Sequence, residues 1–194
     1  MKRTVAAAAV ATAAAINPSD VYSVLIQTSA GNVTLEVHPA WAPVGAERFT
    51  QLVHDGFYTN AALFRYVPNF VVQWGLPSDP NRNTYAPIRD DLAVAGISNT
   101  VGTMSFAKSG KDTRTTQIFV NFRDNSRLDA LGFTPFAVVT SGLDVLVNDV
   151  YSGYNEAPKQ PKIQVEGNVY LDREFPLLTH IRAVSMMLPS QDTE

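Results

Sequence analysis

Cysteine is absent from this chain. That excludes disulfides, thiolate metal sites and thiol catalysis, and leaves the compartment open, since a cysteine-free protein is at home anywhere. No apolar run reaches about 18 residues, so no stretch reads as a membrane-spanning helix. Basic clusters are missing as well. Fifteen Lys and Arg against eighteen acidic residues give a formal net charge of −3 and are scattered, which removes the electrostatic case for nucleic acid. There is no Gly-x-Ser-x-Gly motif and no Ser–His–Asp grouping to support a hydrolase. Repeats and linker-like segments are also lacking.

What remains is an ordinary globular composition, 45% hydrophobic and 17% charged over 194 residues, enough for one domain with a real core. Met1–Ala15 (MKRTVAAAAVATAAA) has a basic start, an Ala/Val run and an Ala-x-Ala ending, the layout of an export signal. Its apolar run is weak and carries Thr4 and Thr12. The expectation is a periplasmic or secreted protein with its domain over residues 16–194, the alternative being a frayed tail on a cytoplasmic protein.

Along the chain, Tyr22, Val24 and Ile26 alternate, Ser29–Asn32 is a turn cluster, and Val33, Leu35 and Val37 alternate again, which predicts a hairpin. Pro43 suits the first turn of a helix carrying Phe49, Leu52 and Val53 on one face and ending near Gly56. His38 and His54 flank it and have no evident partner. Residues 76–98 form a long loop rich in Pro, Asn and Asp, in which Arg82, Arg89, Asp90 and Asp91 read as solvated charge rather than a metal site. Thr103–Ala107, Gln117–Phe122 and Phe136–Thr140 read as short strands, with a polar loop, Lys108–Arg114, after the first. A second helix is expected after a capping Ser141, burying Leu143, Leu146, Val147 and Val150. His180–Met186 reads as the last strand.

The most informative stretch is Leu63–Gly75, LFRYVPNFVVQWG, two apolar runs broken at Pro68-Asn69. It holds one cation, Arg65, and one amide, Gln73. They share a face of a strand pair if the register survives Pro68. An Arg in such a run needs a partner. Spacing alone favours the plain alternative, an edge strand with the arginine head in water.

Gly56-Phe57-Tyr58 with Phe64–Gln73 resembles the signature block of the cyclophilins, the prolyl isomerases. Gly102–Ala107 with Thr115–Val120 resembles the second block of that family, and Leu128-Asp129, Gly132-Phe133 and Pro135–Val139 the third, in family order and spacing. The resemblance implies an eight-stranded antiparallel closed barrel capped by two α-helices. It implies a peptidyl-prolyl cis-trans isomerase that assists folding and needs no cofactor or metal. Arg65 becomes the catalytic arginine. Phe70, Val71, Phe119, Leu128 and Phe133 become the proline pocket, while Gln73, Gln117 and the backbone at Ala107 and Lys108 grip the peptide. Its partners are then proline-containing polypeptides, met by a monomer; a non-catalytic binding module for the same segments is the alternative.

The chain departs from familiar members at Phe64, Val71 and Phe133, each expected to keep the pocket apolar. It departs again at Arg127, where a tryptophan contacts cyclosporin, which implies weak inhibition by that drug. Residues 166–178 resemble an extension of some bacterial members, with a short helix expected there.

Overall fold

The computed structural model describes residues 20–187, so the expected export signal at residues 1–15 lies outside the described residues. Eight strands make one antiparallel sheet: β1 Tyr22–Thr28, β2 Asn32–Val37, β3 Arg65–Val67, β4 Val71–Trp74, β5 Thr103–Phe106, β6 Ile118–Asn121, β7 Pro135–Ser141 and β8 Ile181–Met187. Their order is β3-β4-β6-β5-β7-β2-β1-β8. The predicted first hairpin forms, with Val24 opposite Leu35 and Ile26 opposite Val33. Its turn is held by Thr28, whose hydroxyl accepts the Ala30 and Gly31 amides.

The sheet curls around a core that includes Val24, Leu35, Leu52, Met104, Phe106 and Phe136, all buried. Burying side chains of this kind stabilises by about 1.5–3 kcal/mol each. Helix α1, Pro43–His54, covers one opening, its Phe49 ring 5.1 Å from that of Phe136. Leu146 and Val150 join the same core.

Three expectations are corrected. The barrel is not closed by a ladder, because β3 and β8 are the two ends of the sheet. The seam between them is crossed instead by a single bridge, Ala62 to His180, and by backbone hydrogen bonds from Asn60 to Ile181 and Leu63 to Thr179. The second helix forms where expected but is short, helical at residues 143–144 and π-helical over Val145–Asp149. Ser141 is taken up by β7, paired with Thr34, and does not cap a helix. Gly142, at φ +81°, lies so close to the Asn32 backbone that a Cβ would clash, and Val147 is 41% exposed rather than buried. Strand pairing therefore consumes the residues that the helix needed.

The short helix expected within residues 166–178 forms as α3, Asn168–Glu174, and a second short helix, α2, Gln160–Glu166, precedes it. Pro161 in the first turn of α2 is well suited to that position. These helices build a second core, in which Ile163, Tyr170 and Leu171 meet Ala62, Phe64, Leu76 and Leu178. Phe64, expected to keep the proline pocket apolar, lies in this second core instead. Strand alternation explains it, since neighbours 64 and 65 face opposite sides.

Candidate active site

The site begins with the turn at Pro68-Asn69. Phe70 donates its amide to the Val67 carbonyl at 3.0 Å, and Asn69 adopts φ +55°. A Pro at the second turn position and a positive-φ residue at the third is the type II pattern. This turn sets the register of β3 against β4, and Arg65 pairs directly with Gln73. Gln73 in turn faces Phe119 on β6. The spacing argument for a shared face therefore holds. The structure also makes β3 an edge strand, but the arginine head is not left to water.

Arg65 Nη1 donates to Gln73 Oε1 at 3.0 Å, and Gln73 Nε2 donates to Gln117 Oε1 at 2.8 Å. On its other side, Arg65 Nε and Nη2 reach Glu156 Oε1 at 2.7 and 2.6 Å. The second N–H on each of Nη1 and Nη2 is left for a ligand, given the five donors of a guanidinium. Gln117 is brought alongside by Gly75, whose φ of +103° and missing side chain let β4 end against the Thr116 carbonyl.

Beside the guanidinium lies an apolar cavity of about 150 Å³ lined by Arg65, Phe70, Val71, Ala107, Lys108, Phe119, Leu128 and Phe133. Val71, Phe119 and Leu128 form its buried floor, and the Phe119 and Phe133 rings meet edge to face at 5.8 Å. With Gln73 and Gln117 tied to Arg65, all ten residues expected at the site come together. One detail differs: the Ala107 amide already donates to the Gln117 carbonyl at 2.9 Å, so it is not available to a peptide. A larger recess of about 530 Å³ opens on the far side of Lys108 and Phe133, between Ser109–Lys111 and Ala130–Gly132.

A model of the cyclophilin-type peptidyl-prolyl cis-trans isomerase family matches residues 23–168. This chain belongs to that family. Among its relatives, a peptidyl-prolyl cis-trans isomerase of Acinetobacter baylyi is 33% identical over 70% of this chain and 79% of its own length. Isomerase A of Dickeya dadantii is 38% identical over 63% of this chain and 67% of its own. A solved cyclophilin of Cryptosporidium parvum superposes with a TM-score of 0.64 over 87% of this chain and 98% of that one. At 18% identity, this last match supports the fold alone.

In this cyclophilin the far wall of the pocket hangs on a residue that the sequence did not single out. Asn99, fully buried, donates from Nδ2 to Asp129 Oδ1 at 2.7 Å and to the Phe133 carbonyl at 2.6 Å, while its Oδ1 accepts Ser105 Oγ at 2.8 Å. It joins β5 to the segment that carries Leu128 and Phe133. Burial alone would raise the Asp129 carboxyl, but hydrogen bonds from Ser98 and Asn99 outweigh it and hold the group below its usual range. Asn99 follows directly on the long loop flagged for function, the one signal that pointed near it.

Of that loop's charges Arg89 is exposed, as expected, but Asp90 and Asp91 are taken up by ion pairs. Asp91 is buried and pairs with buried Arg114 at 2.9 Å. Its two oxygens also accept the Val44 and Gly45 amides at 2.9 Å, capping α1 where Ala42 offers no side-chain acceptor. Asp90 pairs with Lys108 at 2.7 Å, and Lys108 Nζ lies 5.4 Å from the centre of the Phe133 ring. Desolvation would raise the Asp90 carboxyl, but Lys108, the Asp112 amide and Arg114 together hold it low. Among the described residues no cluster of His, Asp and Glu is arranged to hold a metal.

Proposed function

We propose that Arg65 lowers the barrier to rotation about Xaa-Pro bonds by donating a hydrogen bond to the prolyl nitrogen. The family is one of peptidyl-prolyl cis-trans isomerases, and its chemistry makes and breaks no covalent bond. A peptide bond resists rotation by about 18–20 kcal/mol because the nitrogen lone pair is shared with the carbonyl. Before proline the isomers differ by only about 0.5–1 kcal/mol, so both are populated and exchange slowly. In the twisted state the nitrogen is pyramidal and regains its lone pair. A donor aimed there binds that state more strongly than either planar one, which is what catalysis requires.

The observation that carries this reading is the Arg65 guanidinium, fixed by Gln73 and Glu156 at the mouth of the Phe/Val/Leu cavity with one N–H on each Nη left for a ligand. An apolar cavity of comparable volume accommodates a benzene ring, so a pyrrolidine ring fits. A guanidinium stays protonated at any working pH and presents planar, directed donors. A Cryptosporidium parvum relative was crystallised in the presence of the dipeptide Ala-Pro, a ligand of the kind this pocket suits. Phe70, Val71, Phe119, Leu128 and Phe133 seat the ring, and Gln73 and Gln117 meet the polar backbone of the peptide. Proline-containing polypeptides are the substrate class.

The test is a protease-coupled assay on a short Xaa-Pro peptide. Arg65→Ala should lower kcat/KM by about 100-fold or more, the scale for losing one preorganised donor. Equal rates for the variant and the wild type would remove Arg65 from the mechanism. No activity in either would leave a module that binds proline segments without turning them over.

A further inference from the structure

Arg65 stands on an edge strand, with a long side chain that is 27% exposed. Such a side chain loses considerable rotamer freedom when it is held in one geometry. Gln73 holds it only at Nη1. The other edge of the guanidinium, Nε and Nη2, is held by Glu156 alone among the described residues. The contact fixes the plane of the fork and directs its remaining N–H groups away from both partners.

The loop that brings Glu156 there is anchored on both sides. Its neighbour Asn155 sits in the left-handed region at φ +48° and accepts the Tyr66 amide at 3.0 Å, so the loop docks on β3 one residue from Arg65. Tyr154 packs against Phe175, just after α3, with rings 5.1 Å apart. The Lys159 amide donates to the Tyr170 hydroxyl at 3.1 Å. The second core beneath α2 and α3 thus supports the loop from the far face of the strand that carries the arginine.

The Glu156 side chain is 56% exposed, and an ion pair so open to solvent adds little to stability. Orientation is the role left to it. We infer that Glu156 is a positioning residue for Arg65, holding its guanidinium in the plane from which it reaches the prolyl nitrogen; this rests on the reading of Arg65 given above.

The experiment compares wild type, Arg65→Ala, Glu156→Ala and Glu156→Gln by isomerase kinetics and by the 15N NMR signal of the Arg65 Nε–H. Glutamine keeps an acceptor oxygen and removes the charge. Glu156→Ala should lower kcat by about tenfold with KM and Tm little changed, the scale expected of a misplaced group. It should also broaden or abolish the Nε–H signal, and Glu156→Gln should restore much of both. A kcat for Glu156→Ala equal to or above that of the wild type would overturn the inference, and so would a loss confined to KM or Tm. If Arg65→Ala is inactive while Glu156→Ala is fully active, positioning fails and the reading of Arg65 stands. If Arg65→Ala is fully active, that reading fails and the inference goes with it.

Discussion

Arg127 lies over the Phe70 ring, its guanidinium carbon 4.8 Å from the centroid, with Nη1 donating to Asn125 Oδ1 at 3.2 Å. It therefore sits beside the pocket-lining Phe70, at the position that the sequence resemblance matches to a tryptophan contacting cyclosporin. A cation covered by an apolar macrocycle loses hydration without gaining a partner. Inhibition by cyclosporin should accordingly be weak, and Arg127→Trp should tighten it by about tenfold or more, the yield of about 1.4 kcal/mol of added contact. Tight inhibition of the wild type, measured in the isomerase assay, would show that this position does not decide drug affinity. Val71 and Phe133 do what their types suggest, lining an apolar cavity.

The segment that carries Leu128 and Phe133 is a wall held by polar bonds rather than by a strand pair. Asp129 is its anchor, accepting the Asn99 backbone amide at 3.0 Å as well as the Asn99 side chain. Asp129 and Asp90 both have carboxyls held below the usual range. Their contribution to stability is complete above the unfolded value, about 3.9, and is lost as pH falls through the lower folded values. Urea unfolding should therefore show stability falling as the pH drops below the unfolded value, and Asp129→Asn should flatten part of that fall. At neutral pH the same variant should cost about 1–3 kcal/mol, because the amide keeps one oxygen for Asn99 but loses the charge and the second oxygen, which accepts the Ser98 hydroxyl. A slope identical to wild type would mean that the Asp129 bonds are not formed in solution.

Local pattern made some of these elements legible and left others hidden. The β3–β4 pair could be read because Arg65 and Gln73 are eight apart across a Pro-Asn break, and alternation does the rest. α1 was legible from Pro43 and from Phe49, Leu52 and Val53. The short helix over 143–149 was legible from Leu143, Leu146 and Val150, but its start was not, because Ser141 goes to a β2–β7 pairing that no local pattern reports. Glu156 has no local signature at all, since its partner lies 91 positions away. The pocket residues were legible only through resemblance to a family; their periodicity reads equally well as barrel core.

At the scale of the whole molecule, one ion-pair group ties the long loop, the polar loop and the start of α1 together. Arg114, buried, serves Asp91 and also donates to the Arg89 carbonyl. The sequence made Asp90 and Asp91 look solvated because Arg114 comes 23 positions after Asp91 and is separated from it by strand β5. Asp91→Ala would leave a buried guanidinium short of a partner and two helix amides uncapped. The expected loss is about 3–5 kcal/mol in urea unfolding, with kcat/KM changed far less than by Arg65→Ala. A loss below about 1 kcal/mol would reduce the group to the rank of a surface pair.

Phe64 and Arg65 are consecutive, yet one is sunk among Ile163, Tyr170 and Leu171 while the other works at the opposite surface. Parity along the chain is thus what separates oil from chemistry here. An insertion or deletion of a single amino acid that shifted this hairpin by one step would exchange the two, putting a charge into grease and a phenyl ring where the guanidinium belongs. The brief loop at Pro68-Asn69, which lies outside the lining of the cavity, therefore guards the reaction by keeping count.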